Sequence, residues 1–226
     1  MLTTKFDLHI HTRYSDGISS VKEVINMGIQ KKLSLIAITD HFSTSWKQSF
    51  IDTINETNFS SYFEEIKRVR KEANYKCMIG IEIDAESNWS DIIMIPYNEF
   101  EIILFEYVST LSFLKQIVEI IEKYEINSLI CLAHNFYFQR MDIEKFGNIL
   151  IENNIFFELN SRYLNQFDEK AIKILKIFKD IGIKFTLGSD AHDIKRIGDV
   201  QASVDLLKSI DALDNLINID QISLTL

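Results

Sequence analysis

The sequence contains only two cysteines among its 226 residues, and no apolar run approaches the length of a membrane span. Cys77 and Cys131 lie in apolar, strand-like surroundings, which favours reduced core residues over a disulfide or a zinc knuckle. A transmembrane helix needs about 20 consecutive apolar residues, so no membrane span is expected. The residues before position 6 lead straight into a strand pattern and leave no room for a signal peptide. We therefore expect a cytoplasmic protein.

Positive charge is also scarce: 24 lysines and arginines are present with 33 aspartates and glutamates, which gives a formal net charge of −9. This balance disfavours an extended nucleic-acid-binding surface, because polynucleotide affinity depends on neutralising many phosphates. It is compatible with a site that concentrates cations. The sequence has no low-complexity tract, linker or repeat, and 46% of its residues are hydrophobic, which predicts one domain over residues 1–226. The oligomeric state is not specified by the sequence.

Histidine occurs only five times, and two of the five stand in one short stretch near the start. Apolar residues alternate there with Asp7, His9 and His11, which is the period-2 pattern of a strand. His9 and His11 therefore project from one face, about 6–7 Å apart along the strand, and can bind one ion or two neighbouring ions. The following loop carries Asp16 and then Gly17, which suits a turn geometry closed to other residues.

Each remaining histidine follows a short apolar run that predicts a buried strand. In parallel sheets and barrels, ligand and catalytic groups gather where the strands end. Randomly placed surface histidines would not show this pattern. His41 follows residues 35–39, His134 follows residues 129–133, and His192 follows residues 184–189.

Strand and helix patterns alternate along the whole chain, which implies parallel strands. A barrel fits better than an open sheet, because ligand-type residues follow strands throughout the chain. A polar, aromatic stretch at 42–58, with Trp46 and Phe50, predicts a long loop over the strand ends that could act as a lid. Further strands are predicted at 76–84, within 91–108 as two runs, at 155–159, and at 221–226 as a closing strand; helices are predicted from about 21 to 29 and at 59–74, 112–124, 142–153, 168–181 and 200–209.

The candidate metal ligands combine imidazoles with carboxylates, a set that suits zinc, manganese or iron better than calcium. They are His9, His11, Asp16, His41, Glu82, His134, Asp190 and His192. Eight ligands exceed what one ion needs, so we expect two or three divalent ions, with Glu82 suited to bridge two of them. Ions roughly 3.5–4 Å apart lower the pKa of a bridging water and bind the oxygens of a phosphoryl group, which serves hydrolysis of phosphate esters. We expect Glu82, Asp190 and His192 to hold that water.

Phosphate binding also requires cationic side chains near the ions. Arg13 lies in the loop after the first strand, and Arg162 and Arg196 follow later predicted strands. Arginine suits bidentate phosphate recognition, so these three are candidate phosphate contacts, although each could instead be a solvated surface charge. Asp7 and Asp40 stand beside ligands in the sequence and are expected to orient them through hydrogen bonds.

Several segments, taken in order, resemble the motifs of the PHP family (polymerase and histidinol phosphatase). The resemblance spans residues 7–192. It implies a distorted (β/α)7 barrel of the PHP type, with a di- or trinuclear metal centre at the C-terminal ends of the strands, and phosphoesterase activity. The segments are DLHIHTRYSDG at 7–17, AITDH at 37–41, GIEID at 80–84, LAHN at 132–135 and GSDAH at 188–192, with ELN at 158–160 as a further similar strand.

The same resemblance divides the ligands among three ions. It assigns His9, His11, Glu82 and Asp190 to the first ion, Glu82 and His134 to the second, and Asp16, His41 and His192 to the third. Many family members carry a further histidine at the end of the strand before the LAH motif, but residues 100–108 contain none. Either Glu106 substitutes for it, or the second ion is held weakly or lost. Asn135 replaces the usual proline after the motif histidine, which is a minor departure.

These features together predict a metal-dependent phosphoesterase that hydrolyses a small phosphorylated substrate, a phosphomonoester or a nucleotide, through a metal-bridging hydroxide. One alternative is a nuclease that acts on nucleotide ends, for which a basic groove is the distinguishing feature. Another is a catalytically weak, metal-binding regulatory module, which would bind metal without turnover. A metal-dependent amidohydrolase is also possible, but such enzymes commonly use a carbamylated lysine, and no lysine ends a predicted strand in a suitable motif.

Overall fold

The structure is a computed structural model that describes residues 6–42, 47–85, 87 and 89–222. Its core is one sheet of seven parallel strands whose spatial order follows the sequence. The strands are β1 (Phe6–Ile10), β2 (Leu35–Ile38), β3 (Cys77–Asp84), β4 (Ile102–Glu106), β5 (Leu129–Leu132), β6 (Ile155–Asn160) and β7 (Phe185–Gly188). The α-helices are α1 (Val21–Gln30), α2 (Phe59–Ala73), α3 (Trp89–Ile92), α4 (Leu111–Lys123), α5 (Ile143–Glu152), α6 (Glu169–Ile181) and α7 (Gln201–Ser209).

The first and last strands approach each other and nearly close the sheet into a barrel. Ile10 and Ala191 form a parallel β-bridge, and the amide of His11 donates a hydrogen bond to the carbonyl of Ala191 at 2.9 Å. The β1–β2 register shifts between Asp7 and Ile10, which distorts the barrel locally. The predicted distorted (β/α)7 barrel is confirmed.

Several helices begin or end at residues that act as caps. Ser20 accepts a hydrogen bond from the amide of Glu23, and the Glu23 carboxylate accepts one from the amide of Ser20, so α1 starts with a complete capping box. Gly182 follows α6 with φ +94°, a left-handed conformation that glycine adopts without steric cost. Near the end of α1, Gly28 is buried, whereas the apolar side chain of Ile29 is 43% exposed.

One predicted strand is wrong, and a second lies mostly outside the described residues. Of the two runs predicted within 91–108, only β4 is a strand, because residues 91–92 end the short helix α3 and residues 93–95 form a turn. Ile219–Gln221 forms a 3-10 helix, and residues 223–226 of the predicted closing strand lie outside the described residues. In the predicted lid, Lys47–Ser49 forms a 3-10 turn and Phe50 is 81% exposed, whereas residues 43–46, which include Trp46, lie outside the described residues.

Both cysteines are buried and neither forms a disulfide, as their apolar surroundings predict. Among the helices of the described ranges, none has the length and hydrophobicity needed to cross a lipid bilayer. The single domain over residues 1–226 and the cytoplasmic location stay predictions, since nothing in the structure tests them.

Candidate metal centre

The eight predicted ligands lie together at the C-terminal end of the barrel. His9 and Glu82 belong to β1 and β3, and the others belong to the loops that follow β1, β2, β5 and β7. Together with Glu106 at the end of β4, their side chains form four overlapping groups, within each of which the candidate ligand atoms lie no more than 4.8 Å apart. The groups are His9, His11 and Asp190; His9, Glu82 and His134; His11, Asp16, His41 and His192; and His41, Glu82 and Glu106.

The first group combines His9 of β1 and His11, which follows β1, with Asp190 after β7 at the other edge of the sheet. The Nε2 atoms of His9 and His11 lie 3.0 Å apart, and His11 Nε2 lies 3.1 Å from Asp190 Oδ1. Glu82 Oε2 lies 3.2 Å from His9 Nε2, yet this buried oxygen accepts no hydrogen bond within the described part of the chain. A buried carboxylate oxygen that has imidazole nitrogens around it but no donor fits a bound divalent cation.

Glu158 of β6 fixes the orientation of His9. Its Oε1 atom accepts a hydrogen bond from His9 Nδ1 at 2.8 Å, and because a carboxylate can only accept, Nδ1 carries the proton. Nε2 is therefore the nitrogen that faces the ligand group and could bind an ion in place of a proton. The other oxygen of Glu158 accepts a hydrogen bond from the amide of His134 at 2.7 Å, so one carboxylate positions two candidate ligands.

Glu82 lies between the groups, as a bridging ligand should. Its Oε1 atom lies 3.0 Å from His134 Nε2, while its Oε2 atom faces His9 and His11. His134 has φ +29° and Asp190 has φ +51°, so both candidate ligands adopt left-handed backbone conformations just after their strands. Such conformations cost about 1–3 kcal/mol for non-glycine residues and are concentrated at functional sites.

The third group surrounds Asp16 in the loop after β1. Asp16 Oδ2 lies 2.9 Å from His192 Nε2 and 3.8 Å from His41 Nε2, and Asp16 Oδ1 lies 3.6 Å from His11 Nδ1. His192 Nδ1 donates a hydrogen bond to the carbonyl of Asp190 at 2.9 Å, which leaves Nε2 to face Asp16.

The electrostatics of the cluster favour ionised carboxylates. Burial opposes ionisation of Glu82, but the charges of His9 and His41 outweigh it and hold its pKa well below the ordinary value. Burial also lowers the pKa of His9, yet Glu82 and Glu158 outweigh this effect and raise that pKa well above the ordinary value. The pKa of His192 is raised as well, because hydrogen bonding to Asp16 and the charge of Asp190 outweigh burial. In the absence of metal, protons bound to these histidines therefore balance part of the negative charge of the carboxylates.

Metal binding should consequently release protons. An ion competes with the protons on His9 and His192, whose pKa values are raised, so we expect zinc affinity to increase from about pH 6 to about pH 8. Titration calorimetry in buffers of different ionisation enthalpy would count the protons released for each ion bound. An affinity independent of pH over this range, with no proton release, would contradict this description of the centre.

Asp7 and Asp40 hold the backbone around the ligands through hydrogen bonds. Asp7 accepts hydrogen bonds from the amide and hydroxyl of Ser189 at 2.9 and 2.6 Å and so connects β1 to the residue before Asp190. Burial raises the pKa of Asp7 to about 6. Asp40 accepts hydrogen bonds from the amide and hydroxyl of Thr12, both at 2.7 Å, which fixes the start of the loop that carries Asp16.

Gly17 is required for a different reason from the one that its sequence context suggests. Its φ angle is not positive. A Cβ atom at this position would lie 2.4 Å from the carbonyl oxygen of His11, so the loop backbone packs too closely for any side chain.

The three candidate phosphate-binding arginines lie in different places. Arg162 lines a cavity of about 280 Å³ at the mouth of the centre, together with Tyr107 and Tyr163, and its Nη1 donates to Asp190 Oδ2 at 3.0 Å. Arg13 lines a separate hollow, where its Nε donates to the carbonyl of Ile18. Arg196 forms an ion pair with Asp199 at 3.0 Å, and its side chain is 55% exposed.

Two functional side chains were not found from the sequence. Glu158 was noted only as part of the ELN segment, although a carboxylate inside a buried strand needs a partner and thus signals a role. Lys47 comes from the predicted lid, yet it is buried and lines the cavity. Its Nζ forms an ion pair with Glu106 Oε1 and lies 3.0 Å from His41 Nδ1. Burial lowers the pKa of Lys47, against the effect of nearby carboxylates.

Comparisons with known proteins agree with this arrangement. The model of the PHP domain family matches residues 7–186. The chain is 23% identical over 216 residues to the DNA polymerase/3′-5′ exonuclease PolX of Bacillus subtilis, but it spans only 36% of that protein. The fold is similar to histidinol phosphate phosphatase of Lactococcus lactis, solved with zinc, L-histidinol and phosphate, with TM-score 0.68, 19% identity and coverage of 92% of this chain and 94% of that one. A chain in archaeal ribonuclease P bound to mature tRNA is similar with TM-score 0.55, 15% identity and 97% coverage of both chains.

Proposed function

The chain belongs to the PHP domain family, and we propose that it is a metal-dependent phosphoesterase that hydrolyses a small phosphorylated substrate. Family membership supports the prediction of a hydrolase. The observation that carries the proposal is the convergence of imidazoles and carboxylates near Glu82 of β3, from β1 and from the loops after β1, β2, β5 and β7, beneath a cavity of about 280 Å³. A cavity of this volume suits a small ligand better than a polynucleotide.

The donor set fits two or three divalent ions. Divalent ions held by these ligands would supply a water of lowered pKa and positive charge for the phosphoryl oxygens. Glu158 accepts a hydrogen bond from His9 Nδ1, and the carbonyl of Asp190 accepts one from His192 Nδ1, so both Nε2 atoms face the ligand groups and could bind an ion once their protons are released. The zinc in the similar Lactococcus structure supports zinc as one suitable metal.

Arg162 is the strongest candidate for orienting the phosphate. Its Nη1 donates a hydrogen bond to Asp190 Oδ2 at 3.0 Å, and its side chain remains 45% exposed at the cavity. A guanidinium has five N–H donors in a planar fork, so it can contact Asp190 and still present donors to phosphate oxygens. Arg13 and Arg196 stay predicted phosphate contacts, but their positions make them weaker candidates.

Replacing Arg162 with methionine should therefore weaken substrate binding. Loss of a charge-assisted contact costs about 1.5–3 kcal/mol, so we expect KM for a phosphomonoester to rise roughly 10–100-fold, with a smaller change in kcat. Steady-state kinetics would measure both constants. Arg68→Met removes the same charge from the exposed face of α2, where Arg68 pairs with Glu72 at 3.0 Å, and should leave KM unchanged. Equal effects of the two substitutions would contradict the assignment of Arg162.

A second candidate function is 3′-5′ exonuclease activity, which the similarity to PolX favours. The net charge of −9 disfavours it, because a nuclease groove must neutralise backbone phosphates. Purified protein loaded with zinc or manganese should be assayed against 4-nitrophenyl phosphate, histidinol phosphate and a single-stranded oligonucleotide. Faster turnover of the small esters supports the proposal, and cleavage of the oligonucleotide alone supports the exonuclease. Bound metal without turnover of any substrate would indicate a regulatory module.

A further inference from the structure

One of the four ligand groups already contains a cation from the chain itself. The group of His41, Glu82 and Glu106 surrounds the Nζ atom of Lys47, which forms an ion pair with Glu106 Oε1 and lies 3.0 Å from His41 Nδ1. Lys47 is only 4% exposed and Glu106 only 2%. Lysine and glutamate are rarely buried to this extent unless they are paired.

We propose that the ammonium group of Lys47 is a built-in cation of the centre, with Glu106 as its counter-ion, and that it takes the place of one divalent ion. The inference rests on the proposed function, since it concerns the metal content of the same site. It assigns Glu106 to the lysine instead of to a metal. The chain then binds divalent ions at two positions, one at His9, His11 and Asp190 with Glu82, and the other at Asp16, His41 and His192.

Like-charge repulsion makes the ammonium group and a third ion mutually exclusive. A divalent ion bound by His41, Glu82 and Glu106 would use the carboxylate oxygen that Lys47 contacts and would lie within a few ångströms of Nζ. In a buried site, repulsion between the two cations is weakly screened. The ion pair with Glu106 therefore competes directly with metal binding at this group.

The group around His134 is too poor in ligands to hold a further ion firmly. His9 donates through Nδ1 to Glu158, so only its Nε2 atom is available, and that atom faces His11 and Glu82 in the first group. His134 and Glu82 then remain as the ligands particular to this position. Firm zinc sites in proteins use three or four protein ligands.

Metal content measured by mass spectrometry tests the inference without reference to activity. After loading with zinc and gel filtration, the wild-type chain should retain roughly two ions, and Lys47→Met should retain roughly three, because the substitution releases Glu106 and Glu82 for metal. Lys47→Arg keeps the positive charge and should retain the wild-type content. Lys67→Met removes an exposed lysine that pairs with Glu99 at 3.3 Å and should have no effect.

Diffraction at the zinc absorption edge provides an independent measurement on the wild-type protein, which needs no substitution to fold. Anomalous density is expected at the first and third groups, with none within ligand distance of Glu106. A wild-type chain that holds three ions, density at Glu106, or a folded Lys47→Met variant with unchanged metal content would overturn the inference and leave the proposed function intact. A chain that binds no divalent ion would overturn both.

Discussion

Replacing His9 with alanine is expected to abolish phosphoester hydrolysis. His9 Nε2 lies within 3.2 Å of both His11 Nε2 and Glu82 Oε2, so its imidazole is shared by two of the ligand groups. Removal of this imidazole takes a ligand from both groups. It also leaves the buried Glu158 carboxylate without the hydrogen-bond donor of His9. We expect kcat/KM to fall by more than ~10³-fold, which corresponds to a loss of about 4 kcal/mol of transition-state stabilisation.

Metal analysis and circular dichroism should accompany the kinetics of His9→Ala. The variant should keep the barrel but lose bound metal. Cys77→Ala is a suitable control, because it also truncates a fully buried side chain but lies at the start of β3, away from the ligands. It should lose about 1–3 kcal/mol of stability and retain its activity. Wild-type turnover by a folded His9→Ala variant would refute the metal centre as the catalytic site.

Replacing Gly188 with alanine should disable the centre through the residue that orients His9. A Cβ atom at position 188 would lie 1.9 Å from Glu158 Oε1 and 2.6 Å from the Cβ atom of His9. Both side chains would have to move, which would break the hydrogen bond that sets the His9 tautomer. Loss of such a supporting contact typically lowers metal affinity about 10–100-fold, and activity should fall in parallel.

Zinc affinity measured by competition with a chromogenic chelator would quantify the effect of Gly188→Ala. Gly182→Ala is the matched control: this glycine has φ +94°, but no atom lies within 4 Å of the position its Cβ would take. The control should cost about 1 kcal/mol of stability and leave zinc affinity unchanged. Equal zinc affinities in the two variants would show that the contact between Glu158 and His9 is dispensable.

The sequence predicts the barrel and its ligand cluster well, because both depend on local patterns. Alternating strands and helices imply parallel order, and ligand-type residues after the strands meet at one end of a parallel barrel. Glu158 and Lys47 depend on contacts between residues distant in the sequence. Glu158 meets His9 across 149 positions, and no spacing rule connects the two. Lys47 belongs to an irregular segment after β2, from which side-chain direction cannot be predicted.

The wrong strand at residues 91–95 has a local cause. Four consecutive apolar residues, from Ile92 to Ile95, are as typical of a buried strand as of a short helix. Ile92 and Ile95 are both 4% exposed, whereas Ile93 and Met94 are 43% and 54% exposed. This burial at i and i+3 belongs to the turn that follows α3, where the amide of Ile95 donates a hydrogen bond to the carbonyl of Ile92, and in so short a run only the folded structure distinguishes such a turn from a strand.

The bridge between Ile10 and Ala191 joins the two edges of the sheet. His11 directly follows Ile10 in the sequence, and Asp190 directly precedes Ala191. An ion bound by these two side chains would act as a non-covalent cross-link between the first and last strands. Metal binding and the contact between the first and last strands are then thermodynamically coupled. Each stabilises the other by the same free energy. Chelation would for that reason relax this seam before any other pair of neighbouring strands.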